Sequence, residues 1–209
     1  MQISELFSHF REVRPLGTAV VPIHECILAM ALEKRDLIEW CWAAVTASIF
    51  RSYETANKEQ CAIVKASFTK CANCCEPRSS NDVACCNNTN DLLASLENHL
   101  GAFHTDGREH VEEFVKQCID AGFPLIARIG YGKRDAGHYV IVRGYRIMQR
   151  TGFEVHVDDP DALVQQPTPM PFAHFLSYYA QKGKWDVTYE TKPHPTLGLR
   201  RIPTAFPCT

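Results

Sequence analysis

Apolar residues at helical spacing mark a central helix early in the chain. They recur on one face of the segment that begins at Cys41: Trp42, Val45, Ile49 and Phe50. Small residues fill much of the remaining surface of this segment, so other elements can approach it closely. The pattern therefore predicts a mostly buried helix that holds Cys41 in its first turn and ends near Tyr53.

Other helices are predicted on both sides of the central one. Apolar positions and flanking residues define five further segments: 3–11, 60–68, 91–100, 111–121 and 172–180. Polar residues at 87–90 supply an N-cap for the segment 91–100, and Gly101 closes it. The apolar face predicted for the segment 111–121 carries Val111, Phe114, Val115 and Cys118.

Strand patterns dominate after residue 124. Apolar runs predict strands at 125–129, 138–145, 153–157 and 185–189, and a short edge strand at 19–23 precedes the central helix. Helices first and strands later favour an α+β fold with a largely antiparallel sheet. The predicted organisation is a lead-in at 1–18, one domain at 19–190 with its helical part ending near 124 and its sheet at 125–190, and a tail at 191–209.

Composition and charge limit what the protein binds. Its 209 residues suffice for one domain or for two lobes around a cleft, and a net charge of −2 offers no patch for nucleic acid or an anionic membrane. No apolar run is long enough to span a bilayer. The N-terminus lacks a basic segment followed by an apolar one. We therefore expect a protein that is cytoplasmic in its producer or is exported without a cleaved signal peptide.

Cys41 is the first candidate for chemistry. The unpaired N–H groups and the positive dipole at the start of a helix favour a thiolate, which is the nucleophilic form of cysteine. The alternative interpretation is that Cys41 packs as a small apolar side chain, as buried cysteines usually do. A catalytic thiolate also needs a base and a group that orients the base, so the rest of the sequence decides between the two.

The candidate base and its orienting group lie on two predicted strands. His138 begins an apolar strand directly after a loop rich in glycine and charged residues, so a rigid sheet could direct it into a cleft. On the next strand, alternation places Asp159 on the same face as Val155 and Val157. Asp159 is therefore the candidate that orients His138, and Asp158 is the second choice. A surface histidine and a simple Asp-Pro turn are the alternatives.

Several short motifs together resemble a known family. They are Trp40-Cys41-Trp42-Ala43-Ala44, Gln60-Cys61, Cys74-Cys75, Cys86-Asn87, Gly137-His138 and Asp159-Pro160. In this order, over roughly residues 19–190, they are similar to the papain-like cysteine peptidases of the AvrRpt2 type, which themselves resemble bacteriocin-processing papain-like peptidases. The resemblance implies a two-lobed papain-like fold, with a helical N-terminal lobe that faces a C-terminal lobe of antiparallel sheet.

The same resemblance implies a role for each candidate residue. Cys41 would be the nucleophile, His138 the general base and then the general acid, and Asp159 the residue that orients the imidazole. No metal or other cofactor is expected. Papain-like enzymes commonly carry a glutamine about six residues before the nucleophile, where it donates to the oxyanion, whereas Arg35 stands there in this chain. Either Arg35 or another group replaces the glutamine, or the enzyme is weakly active.

The cysteine content is high, with ten cysteines in the chain and five of them between Cys71 and Cys86. Three interpretations remain open: disulfides that staple a loop near the cleft, a reduced loop, or a structural zinc site, for which adjacent cysteines and the missing histidine fit poorly. Turns are predicted within this cluster by Pro77, Ser79, Ser80, Asn81 and Asp82. The resemblance implies that Cys75 and Cys86 belong to a recurrent structural pattern and have no catalytic role.

These observations predict a cysteine endopeptidase that cleaves protein substrates. Two alternatives stay open, an acyltransferase such as a transglutaminase-like enzyme with the same three residues, and a binding module whose site has decayed. The resemblance further implies a bacterial effector or toxin that acts in the cytosol of a target cell. Its producer would then need an immunity protein that covers the cleft. A housekeeping maturation peptidase is the main rival to this setting.

Overall fold

The secondary structure follows the predicted order of helices and strands. The computed structural model describes residues 22–53, 58–71, 73–90, 92, 96, 103–105, 111–132, 137–161, 168–180 and 183–191. The helices are α1 (Cys41–Ser52), α2 (Gln60–Ser67), α3 (Ser80–Cys86), α4 (Glu112–Asp120) and α5 (Phe172–Tyr178). The strands are β1 (Pro22–Ile27), β2 (Phe103–Thr105), β3 (Leu125–Gly130), β4 (Gly137–Met148), β5 (Gly152–Asp158), β6 (Met170–Pro171) and β7 (Lys184–Glu190).

The sheet is built on β4, and the strand pairs of the described ranges are antiparallel. The hydrogen-bonded order is β2-β7-β3-β4-β5-β6. One edge of β4 pairs with β5 over residues 141–148. The other edge is shared, because β3 pairs with residues 137–142 and β1 with residues 144–148. This long strand is therefore anchored along its whole length and carries His138 near its start.

A glycine is required on β4 at the position where its pairing partner changes from β3 to β1. The register of the β4–β5 pair shifts between Val142 and Gly144. A Cβ on Gly144 would lie 2.7 Å from the main-chain carbonyl oxygen of Cys26 on β1. Any side chain at this position would collide with β1, so the glycine permits the close approach of the two backbones.

Two hydrophobic cores lie on opposite faces of the sheet. The first contains buried side chains of α1 and α2 together with Ile126, Ile141 and Tyr189 from the sheet. The second contains alternate residues of the same strands, among them Leu125 and Val140, together with side chains of α4 and α5. Because apolar side chains are buried on both faces of the sheet, the sequences of β3 and β4 are nearly continuous apolar runs.

The predicted α+β class with an antiparallel sheet is confirmed. The central helix begins at Cys41 and ends at Ser52, as the apolar spacing predicts. Helices at 60–68, 111–121 and 172–180 are also present, as are the four strands of the second half, with small differences at their ends. The short strands β2 and β6 are additions that the sequence pattern does not predict.

Helix α3 is a correction to the sequence prediction, which places turns between Pro77 and Asp82. The side chain of Ser79 accepts a hydrogen bond from the main-chain N–H of Asp82 at 3.2 Å, and the helix begins at Ser80. Serine and aspartate favour both turns and helix N-caps, because their side chains bond to nearby main-chain groups in either structure. The residue types alone therefore do not separate the two.

Smaller differences concern positions near the ends of elements. Val111 is exposed, in contrast to its predicted place on the buried face, because it precedes α4 with an extended backbone. Strand β1 spans Pro22–Ile27, later than the predicted 19–23. The predicted lead-in at 1–18 with its helix at 3–11, the tail beyond residue 191 and most of the helix at 91–100 lie outside the described residues.

Disulfides connect α2 and α3 to the segment between them. The pairs are Cys61–Cys75, Cys71–Cys85 and Cys74–Cys86. Cys26 on β1 is also disulfide-bonded. Of the three interpretations of the cysteine cluster, the structure supports disulfides, because zinc binds thiolates and a disulfide sulfur is not one. Cys41 and Cys118 lie outside any disulfide.

The helices in the described part of the chain are short, and α1 is twelve residues long. None of these helices is long and apolar enough to cross a membrane. In the same ranges, no group of three or more histidine, cysteine, aspartate or glutamate side chains is arranged to hold a metal ion.

Candidate active site

Cys41 is the first residue of α1, and Trp40 occupies the N-cap position before it. The first main-chain N–H groups of a helix have no partner within the helix and form the positive end of its dipole. Cys41 is 6 % exposed and is not part of a disulfide. The predicted location of this cysteine, in the first turn of a buried helix, is confirmed.

Hydrogen bonds to the disulfide-bonded segment hold the start of α1. They are Trp40 Nε1 to the carbonyl oxygen of Cys86 (2.8 Å), Trp42 Nε1 to the carbonyl oxygen of Asn88 (3.1 Å) and Glu39 N to Oδ1 of Asn87 (3.0 Å). The acceptors directly follow the Cys74–Cys86 disulfide or belong to it. The two tryptophans that flank Cys41 therefore connect the position of its sulfur to the cross-linked region.

His138 lies near the start of β4 and points its ring at Asp159. Its Nε2 lies 2.7 Å from Oδ1 of Asp159, and the two residues are 6 % and 8 % exposed. An ionised carboxylate only accepts hydrogen bonds, so Nε2 carries the proton in this pair. The other ring nitrogen, Nδ1, is then left for an interaction with Cys41, which contributes to the raised pKa of His138.

The carboxylate of Asp159 is fixed at both oxygens. Oδ1 also accepts a hydrogen bond from the main-chain N–H of Asp161 at 2.7 Å, and Oδ2 accepts one from the hydroxyl of Tyr179 at 2.7 Å. Burial, followed by the charge of Asp159, raises the pKa of Tyr179 above its ordinary value, so the phenol keeps the proton that it donates. These contacts leave the carboxylate little freedom to turn away from His138.

Competing effects act on the imidazole of His138. Burial by itself lowers the pKa of His138, but the hydrogen bond to Asp159 and the interactions with Cys41 outweigh burial and raise it to about 9. A raised pKa means that the imidazole holds its second proton at neutral pH. The arrangement therefore favours an imidazolium between the sulfur and the carboxylate.

The second-choice residue, Asp158, has a different partner. Its Oδ2 accepts a hydrogen bond from Nε of Arg143 at 2.6 Å, in an ion pair across β4 and β5. Asp158 is the last residue of β5, and its carboxylate binds Arg143, whereas the carboxylate of Asp159 binds His138. The structure thus brings together Cys41, His138 and Asp159 and leaves Asp158 apart from them.

Three residues near Cys41, His138 and Asp159 make contacts that no sequence motif predicts. Tyr179 contacts Asp159 directly. Tyr131 is 38 % exposed, and burial, followed by the charges of Asp159 and Cys41, raises its pKa. Arg35, at the position where a glutamine is expected, forms an ion pair with Asp161. None of these contacts follows from residue spacing, because their partners lie far away in the chain.

A cleft of about 300 Å³ borders Asp159 and Tyr179 on the side of the loop that precedes α1. Its wall includes Met30, Leu32, Lys34 and Thr168. Cys41 does not line this cleft. The cleft therefore does not by itself identify the groove in which a substrate peptide bond would reach the sulfur of Cys41.

Comparison with known proteins places the chain among peptidases. The sequence model of the Peptidase_C39 like family matches residues 27–187, a range that contains all three residues of the cluster. A solved structure that is similar to this chain is that of a double glycine motif protease from an AMS/PCAT transporter in complex with the leader peptide. The TM-score is 0.47 at 14 % identity, and the match covers 81 % of this chain and 95 % of that one. No curated protein matches.

The family match extends over most of the chain, and the structure joins a helical part to an antiparallel sheet. These two findings define the class of the protein, which is that of the papain-like cysteine proteases. Within that class, the chain belongs to the Peptidase_C39 like family.

Proposed function

We propose that the protein is an endopeptidase that cleaves protein substrates with Cys41, His138 and Asp159 as its catalytic triad. The sulfur of Cys41 attacks the carbonyl carbon of a peptide bond, and His138 gives a proton to the leaving amine as the bond breaks. A thioester to Cys41 remains. His138 then takes a proton from water as the water attacks the thioester; the acid is released, the sulfur leaves as a thiolate, and the thiolate–imidazolium pair is restored.

One observation carries this proposal: a single buried imidazole is hydrogen-bonded to Asp159 at 2.7 Å, and interactions with both Asp159 and Cys41 raise its pKa. Asp159 keeps the proton on Nε2, so Nδ1 is the nitrogen that would exchange a proton with the sulfur and pass it to the leaving group. The main-chain N–H of Cys41, at the open end of α1, is suited to donate to the oxyanion that forms during attack.

The test is the substitution Cys41→Ala, which removes the nucleophile and keeps the helix. Proteins of a cell lysate would be treated with wild type or with the variant, and new N-termini would be identified by mass spectrometry. We expect new N-termini with wild type and none with Cys41→Ala, whereas Cys118→Ala should cleave as wild type does. Cleavage that persists in Cys41→Ala would remove the proposed role of Cys41.

Acyl transfer uses the same three side chains and differs only in the acceptor of the acyl group. An acyl-enzyme trapped on Cys41 and offered a primary amine in water distinguishes the two reactions. A peptidase yields mainly the free acid, whereas an acyltransferase yields mainly the amide. A decayed binding module would form no acyl-enzyme.

The finer proposal is a bacterial effector or toxin of the AvrRpt2 type, formed by one domain at 19–190. The disulfides support a chain that passes through an oxidising compartment, since such cross-links rarely persist in the cytosol. Delivery of the folded, disulfide-bonded protein into the cytosol of host cells should be harmful with wild type and harmless with Cys41→Ala. The producer would need an immunity protein that covers the cleft. Unharmed hosts, and a producer that yields the protein without such a partner, would favour a housekeeping peptidase.

A further inference from the structure

Arg35 lies where papain-like enzymes commonly carry an oxyanion-binding glutamine, but its guanidinium is engaged elsewhere. Nη2 lies 2.5 Å from Oδ2 of Asp161, and Nη1 donates to the carbonyl oxygen of Ile38. The side chains of Arg35 and Asp161 are 17 % and 16 % exposed, so most of the ion pair is withdrawn from solvent. Two of the three guanidinium nitrogens therefore bind the protein itself.

The partner of Arg35 belongs to the turn that carries Asp159. Residues 34 and 35 hold this turn at three points: Lys34 Nζ to Asp159 O (2.8 Å), Arg35 N to Pro160 O (3.0 Å) and the Arg35–Asp161 ion pair. The main-chain N–H of Asp161 in turn donates to the carboxylate oxygen of Asp159 that bonds to His138. A continuous path of polar contacts thus leads from Arg35 to the imidazole.

We propose that Arg35 is a positioning residue that acts through Asp161 to hold the carboxylate of Asp159 against His138. The inference rests on the proposed function, since it assigns Asp159 its orienting role. Arg35 does not replace the expected glutamine as an oxyanion donor. Its arginine side chain suits the new role, because the planar guanidinium binds a carboxylate and a carbonyl oxygen at once.

The decisive variant is the double substitution Arg35→Gln/Asp161→Asn. It removes one positive and one negative charge together, so the net charge around His138 is unchanged, while the ion pair and the hydrogen bond from Arg35 to Ile38 are lost. It also places an amide at the position of the expected glutamine. An oxyanion role for Arg35 predicts that activity is kept, whereas the positioning role predicts that activity falls.

The matched control is Arg143→Gln/Asp158→Asn. It removes the neighbouring ion pair between β4 and β5, whose side chains are 26 % and 21 % exposed and whose carboxylate belongs to Asp158 instead of the turn at 159–161. Thermal unfolding of both double variants would show whether they fold. If Arg35→Gln/Asp161→Asn does not fold, the charge-swapped variant Arg35→Asp/Asp161→Arg keeps an ion pair and takes its place beside the single variant Arg35→Asp.

Two measurements need no substrate. The first is the rate at which iodoacetamide alkylates Cys41 below neutral pH, where only a thiolate paired with an imidazolium reacts quickly. We expect a loss of roughly tenfold to a hundredfold for Arg35→Gln/Asp161→Asn, the size that follows when a catalytic group is displaced by about 1 Å. The second is the NMR signal of the His138 Nε2 proton, which should shift or broaden. Arg143→Gln/Asp158→Asn should match wild type in both measurements. Cys41 should be alkylated faster in Arg35→Asp/Asp161→Arg than in Arg35→Asp.

Wild-type rates and an unchanged Nε2 signal in Arg35→Gln/Asp161→Asn would overturn the role of Arg35 and leave the proposed triad standing. A wild-type protein whose Cys41 reacts as an ordinary thiol below neutral pH would overturn both proposals. Equal losses in the control and in Arg35→Gln/Asp161→Asn would also overturn the inference, because they would show a general effect on the strand end. Once a cleaved peptide is known, the loss should appear in kcat with KM nearly unchanged.

Discussion

The two sides of the proposed site are held by different kinds of bond. On the helical side, α2 and α3 have eight and seven residues, and three disulfides join them and the segment between them. That cross-linked segment holds the start of α1 and thereby Cys41. On the sheet side, His138 and Asp159 are positioned by strand pairing and by hydrogen bonds from the side chain of Tyr179 and the main chain of Asp161.

This difference follows from how each region obtains its stability. Helices as short as α2 and α3 are marginal in water, and disulfides compensate by restricting the unfolded chain. Strand β4 needs no such help, because neighbours pair with both of its edges and apolar layers cover both faces of the sheet. The nucleophile should therefore depend on the redox state of the protein, and the imidazole on the charge of its carboxylate partner.

The largest expected effect on catalysis comes from removing the imidazole on the sheet side of the site, with His138→Ala. Loss of the group that moves the proton should lower kcat about a thousandfold, since general acid–base catalysis contributes between about a hundredfold and ten-thousandfold. The fold should remain, because the strand pairing of β4 is made by the main chain. The rate of cleavage of an identified peptide and the circular dichroism spectrum would check both points.

A suitable control for this substitution is His174→Ala on α5. His174 is exposed, and its ring contacts Tyr178, which is also exposed. Its removal should leave kcat within the error of measurement. If His138→Ala cleaved as fast as His174→Ala, another residue would have to supply the proton.

The helical side is broken by the double substitution Cys74→Ser/Cys86→Ser. This disulfide closes a short loop, with a sequence separation of 12. Its loss should lower the free energy of unfolding by about 3 kcal/mol, the typical value for a loop of this length. The disulfide also positions the main-chain carbonyl of Cys86 that accepts the hydrogen bond from Trp40, so alkylation of Cys41 should lose its distinctive rate below neutral pH. Denaturant titration and the alkylation assay measure the two effects.

Hydrogen exchange would show whether the effect stays on the helical side. The amides of α1 should lose protection in Cys74→Ser/Cys86→Ser, while those of β3 and β4 keep theirs. Cys118→Ala, which removes a sulfur outside any disulfide and on the other face of the sheet, should leave α1 protected. Uniform loss of protection across both regions would show that the two sides do not differ in the way proposed.

Helices and strands could be predicted from the sequence better than the contacts between them. Helix α1 is predictable because four apolar residues at helical spacing need a common buried face, and strands β3, β4 and β5 are predictable from their apolar runs. Asp159 is preferred over Asp158 on strand alternation alone, and its contact with His138 agrees with that choice. Local periodicity thus identified which side chains face the interior.

Contacts made across the fold leave no such periodicity. Arg35 and Asp161 are 126 residues apart, and Tyr179 meets Asp159 only because α5 returns to the end of β5. The disulfide connectivity was likewise beyond the sequence, because the spacing of cysteines permits many pairings. The contacts by which Arg35, Asp161 and Tyr179 hold Asp159 are therefore what sequence reasoning missed, while Cys41, His138 and Asp159 stood in recognisable motifs.

The smallest expected effect concerns the charge state of His138 in Asp159→Asn. In wild type, the pKa of His138 is raised to about 9, because the bonds and charges of Asp159 and Cys41 outweigh burial. Removing the charge of Asp159 leaves burial less opposed, so the pKa should fall by about one unit or more, at about 1.4 kcal/mol per unit. The imidazole would then lose its proton at a lower pH, which an NMR titration of its ring protons follows. In Asp158→Asn, the imidazole of His138 should titrate as it does in wild type, since Asp158 pairs with Arg143. Equal titration of the imidazole in Asp159→Asn and Asp158→Asn would mean that Asp159 does not hold the imidazolium, and the contrast between a cross-linked nucleophile and an electrostatically held base would lose its second half.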